Sequence, residues 1–140
     1  MAITYHPIAH WKIAGSYSYL NVHQAVSAAA PAGTVFSIQN ETPAHQVKLQ
    51  SYWNIGKAVQ LDAHLFYSSS FPALYLDTDA NIPTHLRVDV RLGWRIKPRW
   101  EVSLVGQDLS SRWHLELTPE AFSPATCTGR GAYLKSAWRF

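Results

Sequence analysis

Asp77-Thr78-Asp79-Ala80-Asn81 puts an oxygen-bearing side chain at every second position, the spacing with which a calcium loop begins. Such a loop also needs Gly at its sixth position for a sharp turn and Glu at its twelfth as a bidentate ligand; here Ile82 and Val88 stand there. A polar surface loop is the expectation, and no metal is assigned. His6 and His10 are four apart, which suits a shared metal only on a helix, and Pro7 between them argues against one. His114 and Glu116 would face the same way on an extended segment, but no third ligand is visible. Cys127 is the sole cysteine, so it forms no internal disulfide, and with no base beside it no nucleophile is expected. Asn40-Glu41-Thr42 fits a glycosylation sequon but runs straight into Pro43, and is set aside. No phosphate-cradling glycine motif and no paired carboxylates stand out. The expectation is a protein that is not an enzyme, with no catalytic residue and no cofactor.

Composition points the same way. The chain has 140 residues, enough for one domain, with 47% hydrophobic and only 15% charged residues against a usual ~25%. Six Trp and seven Tyr make it rich in aromatics. The net charge of +3 is spread along the chain without a basic run, so no nucleic-acid partner is expected. The opening MAITYHPIAHW lacks the charged-then-apolar order of a signal peptide. No run of about 18 apolar residues exists, which excludes a transmembrane helix but not membrane strands, whose signal is alternation.

Alternation is what organises the sequence. In RVDVRLGWRIKPRWEVSL, Leu86, Val88, Val90, Leu92, Trp94 and Ile96 share one parity, and Arg87, Asp89, Arg91 and Arg95 the other. Period two marks a strand with one apolar and one polar face. After Lys97-Pro98-Arg99, Trp100, Val102 and Leu104 resume the pattern against Glu101 and Ser103, so the unit reads as a β-hairpin. Four further segments alternate: Trp11 to Leu20, His45 to Ile55, Val59 to Tyr67 and Ala132 to Phe140. Each is taken as long enough for a tilted strand to cross a bilayer core. Gly56-Lys57-Ala58 and Lys97-Pro98-Arg99 are short connections; Val22 to Ala44, Ser68 to Thr84 and Leu109 to Gly131 are long ones. Short turns at one end and long loops at the other describe an up-and-down membrane meander.

In such a meander Trp11, Trp53, Trp94, Trp100 and Trp138 all fall at the short-turn end. Indole is apolar with a single polar N–H, and a membrane–water interface selects it at one height. The expected fold class is all-β: an antiparallel up-and-down meander of about six strands forming a membrane-type sheet. The rival is a soluble β-sandwich or small-barrel binding module, which would bury Trp94, Trp100 and Trp138 in one closed core.

PAHQVKLQSYWNIGKAVQLDAHLFY, THLRVDVRLGWRIKPRWEVSLVGQDLSSRWHLEL and the ending GRGAYLKSAWRF resemble the carboxy-terminal part of a TonB-dependent outer-membrane receptor. The likeness runs from about Ile3 to Phe140 and is most specific at VGQDL and at the aromatic-x-aromatic end Trp138-Arg139-Phe140. Family members often have Gly where Leu134 stands and Asn where Asp108 stands. The family encloses an amino-terminal plug in a barrel of about 22 strands, whereas residues 1–140 hold about six strands and no plug, so the resemblance implies an open, curved sheet that is a fragment of a large transmembrane β-barrel.

The resemblance implies energy-coupled uptake of a scarce ligand such as a ferric siderophore, in the outer membrane of a Gram-negative bacterium, by an intact receptor; the chain alone is not expected to transport. It implies contact with outer-membrane lipid, with the remainder of the barrel and the plug, with the barrel-assembly machinery through the terminal strand, and with TonB only through the missing plug. On that reading Lys48, Gln50, Tyr52, Asn54, Gln60, Asp62, His64, Arg87, Asp89 and Arg91 line the lumen. Phe36, Tyr75 and Trp113 are candidate ligand contacts in the loops. The five Trp and Phe140 form a membrane girdle. A non-functional remnant of a truncated receptor gene would have the same sheet.

Overall fold

The computed structural model describes residues 1–22, 42–75, 78–110, 113–117 and 126–140, with side chains for all of these except 73–75, 78–80, 113–117 and 126. Eleven strands are present among them: β1 (Ala2–Ile8), β2 (Trp11–Tyr19), β3 (His45–Ile55), β4 (Val59–Ser68), β5 (Phe71–Tyr75), β6 (Thr78–Ile82), β7 (His85–Lys97), β8 (Trp100–Gln107), β9 (Trp113–Leu117), β10 (Thr126–Gly129) and β11 (Gly131–Trp138). Seven form one sheet in the order β1-β2-β3-β4-β7-β8-β11, and every neighbouring pair is antiparallel. Its two outer strands do not pair with each other, so the sheet is open. The fold is the all-β meander expected from the alternation, with chain order kept across the sheet.

The sheet has one strand more than the alternating segments announced. β1 pairs with β2 through Ile3↔Gly15 and Tyr5↔Ile13, then shifts register so that Ile8 meets Trp11. That shift moves the apolar residues from odd to even positions, which hides the strand from a period-two reading. Pro7 sits within the irregular stretch of an outer strand, where a missing N–H costs no ladder bond. The other unannounced strands are two hairpins outside the sheet, β5–β6 and β9–β10, built from the long connections.

The connections sort by end. Ala9-His10, Gly56-Lys57-Ala58 and Pro98-Arg99 turn at one end; the end of β2 at Tyr19, the start of β3 at His45 and the two hairpins lie at the other. Gly56 turns with φ of 65°, a conformation that costs glycine nothing and other residues about 1 kcal/mol or more. Each short turn extends its ladder: the N–H of Asn54 donates to the carbonyl of His10, that of Arg95 to Ala58 and that of Arg139 to Arg99, at 2.7–2.9 Å.

A single sheet has no inside. Among the described residues no side chain is fully buried, and Ile82 is the buried hydrophobic. Leu92 is 47% exposed, Leu104 53% and Leu134 70%. The soluble rival required Trp94, Trp100 and Trp138 in a closed core. Trp94 and Trp138 are instead 57% and 58% exposed and Trp100 is half-buried, so that expectation is overturned.

Candidate functional site: a two-faced sheet

Register assigns each residue to a face. Lys48 lies opposite Phe66, and Phe66 opposite Arg87; Gln50, His64 and Asp89 form the next row, Tyr52, Asp62 and Arg91 the next, and Asn54, Gln60 and Gly93 the last. The polar residues singled out from the sequence therefore stand together on one face of β3, β4 and β7.

Arg91 is the hub of that face. Its Nη1 donates to Asp62 Oδ2 at 2.8 Å, directly across on β4, and weakly to Gln60 at 3.4 Å. Its Nη2 donates to Glu101 of β8. Glu101 pairs in register with Arg95, not Arg91, so the guanidinium must reach along the strand over Gly93. A Cβ at Gly93 would stand 2.9 Å from Arg91 Nη2. The glycine in the run Arg91-Leu92-Gly93-Trp94 is the bed on which the arginine lies.

A second cluster fastens the end of β8. Arg87 Nε donates to both oxygens of Asp89 at 3.0 Å. Asp89 Oδ1 also accepts the N–H of Asp108 at 2.8 Å. Asp108 is buried with φ of 51°, and Leu109 N–H reaches the carbonyl of Val88 at 2.9 Å. Ser110 donates to the carbonyl of Leu86. A Cβ at Gly106 would stand 3.0 Å from Leu109 Cδ1, so glycine there leaves room for the leucine to fold back. The stretch VGQDL is thus a clamp: it turns out of β8 and binds the chain to β7.

Elsewhere on this face Lys12 Nζ sits 4.7 Å over the Tyr52 ring and Lys48 Nζ 5.7 Å over Phe66. Tyr52 meets His64 edge-on at 5.3 Å. A shallow cavity of about 220 Å³ lies between Asp62, His64, Asp89, Arg91, Tyr133 and Lys135, and the buried Nε2 of His64 has no hydrogen-bond partner. Among the described residues no three His, Cys, Asp or Glu are placed to share a metal. His6 lies on β1 and His10 in the following turn; of the calcium-like run Asp77 is outside the described residues, and Thr78 to Asn81 form strand β6 paired with β5 rather than the polar loop expected from sequence.

The other face carries the tryptophans. Trp11 lies opposite Trp53 with ring centroids 5.8 Å apart, and Trp100 opposite Trp138 at 6.0 Å. Trp94 lies opposite Val102, in the same face and end of the sheet. The indole N–H of Trp11 donates to Ser51 Oγ at 2.9 Å, and that of Trp100 to Ser136 Oγ at 3.0 Å. Each serine is one same-face position from the partner tryptophan, away from the turns. Neither serine was singled out from sequence, yet both interrupt an apolar parity beside a tryptophan, and that was the available signal. At the long-loop end of this face a second aromatic group was also missed. Tyr17 Oη and His45 Nδ1 are 2.8 Å apart, and the Tyr19 ring lies 5.0 Å from His45.

Phe140 follows β11 and is wholly exposed. Of the loop aromatics, Phe36 is outside the described residues. For Tyr75 and Trp113 only the backbone is described, at the end of β5 and the start of β9.

An open antiparallel sheet with one charged and one apolar face can form a section of a β-barrel wall. In structure the chain is similar to the ferric-catecholate import receptor Fiu from E. coli K12 in its closed form, with a TM-score of 0.71 and 17% identity over 97% of this chain. It spans only 20% of that receptor's chain. The sheet therefore shares its fold with part of that chain's β-barrel. No family model matches the sequence, and no curated protein matches it significantly.

Proposed function

We propose that this chain forms a section of the wall of an outer-membrane receptor barrel, in a receptor that takes up a scarce ligand such as a ferric siderophore by TonB-coupled transport. The observation that carries the reading is the five tryptophans on one exposed apolar face at one end of the sheet, with an aromatic Tyr–His group at the other. Residues between the two groups, such as Leu49, Leu92 and Leu104, have no protein to cover them and would meet lipid tails. The opposite face, from Lys48 to Arg91, would meet the aqueous lumen and the plug. Phe36, Tyr75 and Trp113 would approach the ligand from the loops, and the Trp138–Phe140 end would be read by the barrel-assembly machinery. A wall section encloses no pore, so the chain alone transports nothing.

Tryptophan quenching by lipids brominated at chosen depths tests the reading. In vesicles holding the full chain, bromines near the headgroups should quench more strongly than bromines near the chain ends. A flat depth profile would remove the membrane assignment.

A further inference from the structure

Charge is spread unevenly between the two ends of the sheet. Toward the turns, beyond the row of Tyr52, Asp62 and Arg91, stand Lys57, Arg95, Lys97, Arg99, Lys135 and Arg139, six of the chain's twelve Lys and Arg. Among the described residues one side-chain carboxylate stands there, Glu101. Register sets Glu101 directly across from Arg95, where opposite charges on neighbouring strands ordinarily pair. Arg91 takes that carboxylate instead, by reaching over Gly93. Arg95 is left without an ion pair among the described residues. It borders a cleft of about 470 Å³ at the turn end of the polar face, lined also by His10, Asn54, Lys57 and Gln60. Two backbone bonds fix the walls. Asn54 N–H donates to the His10 carbonyl at 2.8 Å and holds the first turn against β3; Arg95 N–H donates to the Ala58 carbonyl at 2.7 Å and holds the second against β7. Among the described residues the lining has two full cations, two side-chain amides and no carboxylate.

We propose that this cleft is a binding site for a phosphate group, held by Arg95 and Lys57 and oriented by the amides of Asn54 and Gln60. A cleft lined by one sign of charge concentrates counter-ions. The planar fork of Arg95 can bridge two phosphate oxygens, and Lys57 adds a point charge from the turn. Gln60 accepts weakly from Arg91 through Oε1 at 3.4 Å, which leaves its NH2 group to donate. A carboxylate offers two oxygens in one plane. A phosphate offers three strong acceptors in different directions, which suits donors converging from β3, β4, β7 and a turn. Small-molecule sites have volumes of about 300–1,000 Å³, so the cleft has room for the phosphate and the alcohol it esterifies. The ligand class is a phosphate ester, carried by a soluble molecule or by a lipid headgroup. Gly93 serves the site indirectly: by letting Arg91 hold Glu101, it keeps that carboxylate from Arg95. The site stands on the polar face alone and goes beyond the barrel-wall reading without resting on it.

Equilibrium dialysis of radiolabelled inorganic phosphate against the full chain in maltoside micelles tests the site. Sodium chloride is kept near physiological strength, where exposed charges more than about 8 Å apart are screened. Saturable binding is expected, weakened about tenfold by Arg95→Gln and by Lys57→Gln, each the loss of one charge-assisted contact. Arg99→Gln and Arg139→Gln remove the same charge outside the cleft and should change affinity less than about twofold. Gly93→Ala should weaken binding as Arg95→Gln does, because Glu101 then returns to Arg95; adding Glu101→Gln to it should restore binding. Competition assigns the source. Displacement of the label by less glycerol 3-phosphate than glycerophosphoglycerol, the headgroup of phosphatidylglycerol without its acyl chains, marks a soluble phosphomonoester, and the reverse order marks a lipid headgroup. No saturable binding of phosphate, equal losses at all four cations, or a Gly93→Ala loss that Glu101→Gln fails to rescue would overturn the proposal. Arg95 and Lys57 belong to different elements, so one misfolded variant leaves the other decisive. The bromine test bears on the opposite face, and its failure would leave this site standing.

Discussion

Arg91 and Leu92 are neighbours in sequence and have opposite surroundings. The arginine is tied to Asp62 and Glu101 across two strand boundaries; the leucine, one residue on, is 47% exposed with no polar neighbour required of it. The same contrast runs along the whole of β7. On one face Arg91 reaches carboxylates on both neighbouring strands and Arg87 pairs with Asp89 within β7, and on the other the described hydrophobics have little but one another. A protein stabilised by a core would show the reverse, with cohesion on the apolar side. Here cohesion within the chain is polar, and the apolar side is left for its surroundings. Substitutions at adjacent positions therefore report on different media, and they can be ranked.

The largest effect is expected from Leu92→Arg. At mid-depth in a bilayer an arginine on the lipid side costs about 2–4 kcal/mol. Arg91→Leu removes two partly exposed ion pairs, which are worth on the order of 1 kcal/mol. Folding yield into lipid vesicles, measured in both variants, should fall further for Leu92→Arg. In a lipid-free buffer the order should reverse, because only the polar network is then at stake. Equal losses in lipid would break the two-medium comparison.

Gly93→Ala sharpens it next. The new methyl would sit 2.9 Å from Arg91 Nη2 and 3.2 Å from Cζ, so the guanidinium must lift off Glu101. A loss of about 1 kcal/mol is expected, from a weakened ion pair. In an Arg91→Leu background the methyl displaces nothing, and the same substitution should be close to neutral. A double-mutant cycle by chemical denaturation checks this; simple additivity would mean that the glycine serves the backbone and not the arginine.

How much of this could be read from the residues depends on the range of each interaction. Period two sufficed for β2, β3, β4, β7, β8 and β11, for their faces and for the row of tryptophans, because each follows from local alternation and from loop lengths, while the hairpins β5–β6 and β9–β10 lay hidden in the long connections. β1 escaped because a bulge near Pro7 changes its parity within seven residues. The Arg91 network escaped because its carboxylates lie 29 and 10 residues away, and only register brings them together. Gly93, small among large neighbours, was the trace it left. VGQDL was legible as a resemblance; its mechanics, a left-handed Asp108 capped onto Asp89, needed the fold.

On the apolar face, Ser51→Ala and Ser136→Ala should each cost about 1 kcal/mol, since an indole N–H loses its acceptor where lipid offers none. The loss should appear in vesicles and shrink in buffer, where water replaces the hydroxyl. Tryptophan emission should shift with it in the Ser51→Ala variant through Trp11 and in Ser136→Ala through Trp100. An effect of the same size in both media would show that the serines pack and do not serve the indoles.

The smallest effect, and the only gain, is expected at Asp108→Asn. The position has φ of 51°, which asparagine tolerates at least as well as aspartate. Its side chain is buried and Oδ1 has no hydrogen-bond partner. Burying an unpaired amide oxygen costs less than burying an unpaired carboxylate oxygen. The backbone N–H of residue 108 still reaches Asp89 in either case, so the clamp itself is untouched. Stability should rise by about 0.5 kcal/mol, at the low end for one improved polar group. Asp108→Ala separates the two contributions: it also removes the buried carboxylate, but a left-handed alanine costs about 1–2 kcal/mol. The expected order in denaturant midpoint is asparagine, then aspartate, then alanine. An alanine variant as stable as the asparagine one would mean that the backbone conformation at residue 108 carries no cost, and that the turn closing β8 is held by the Leu109 and Ser110 contacts alone.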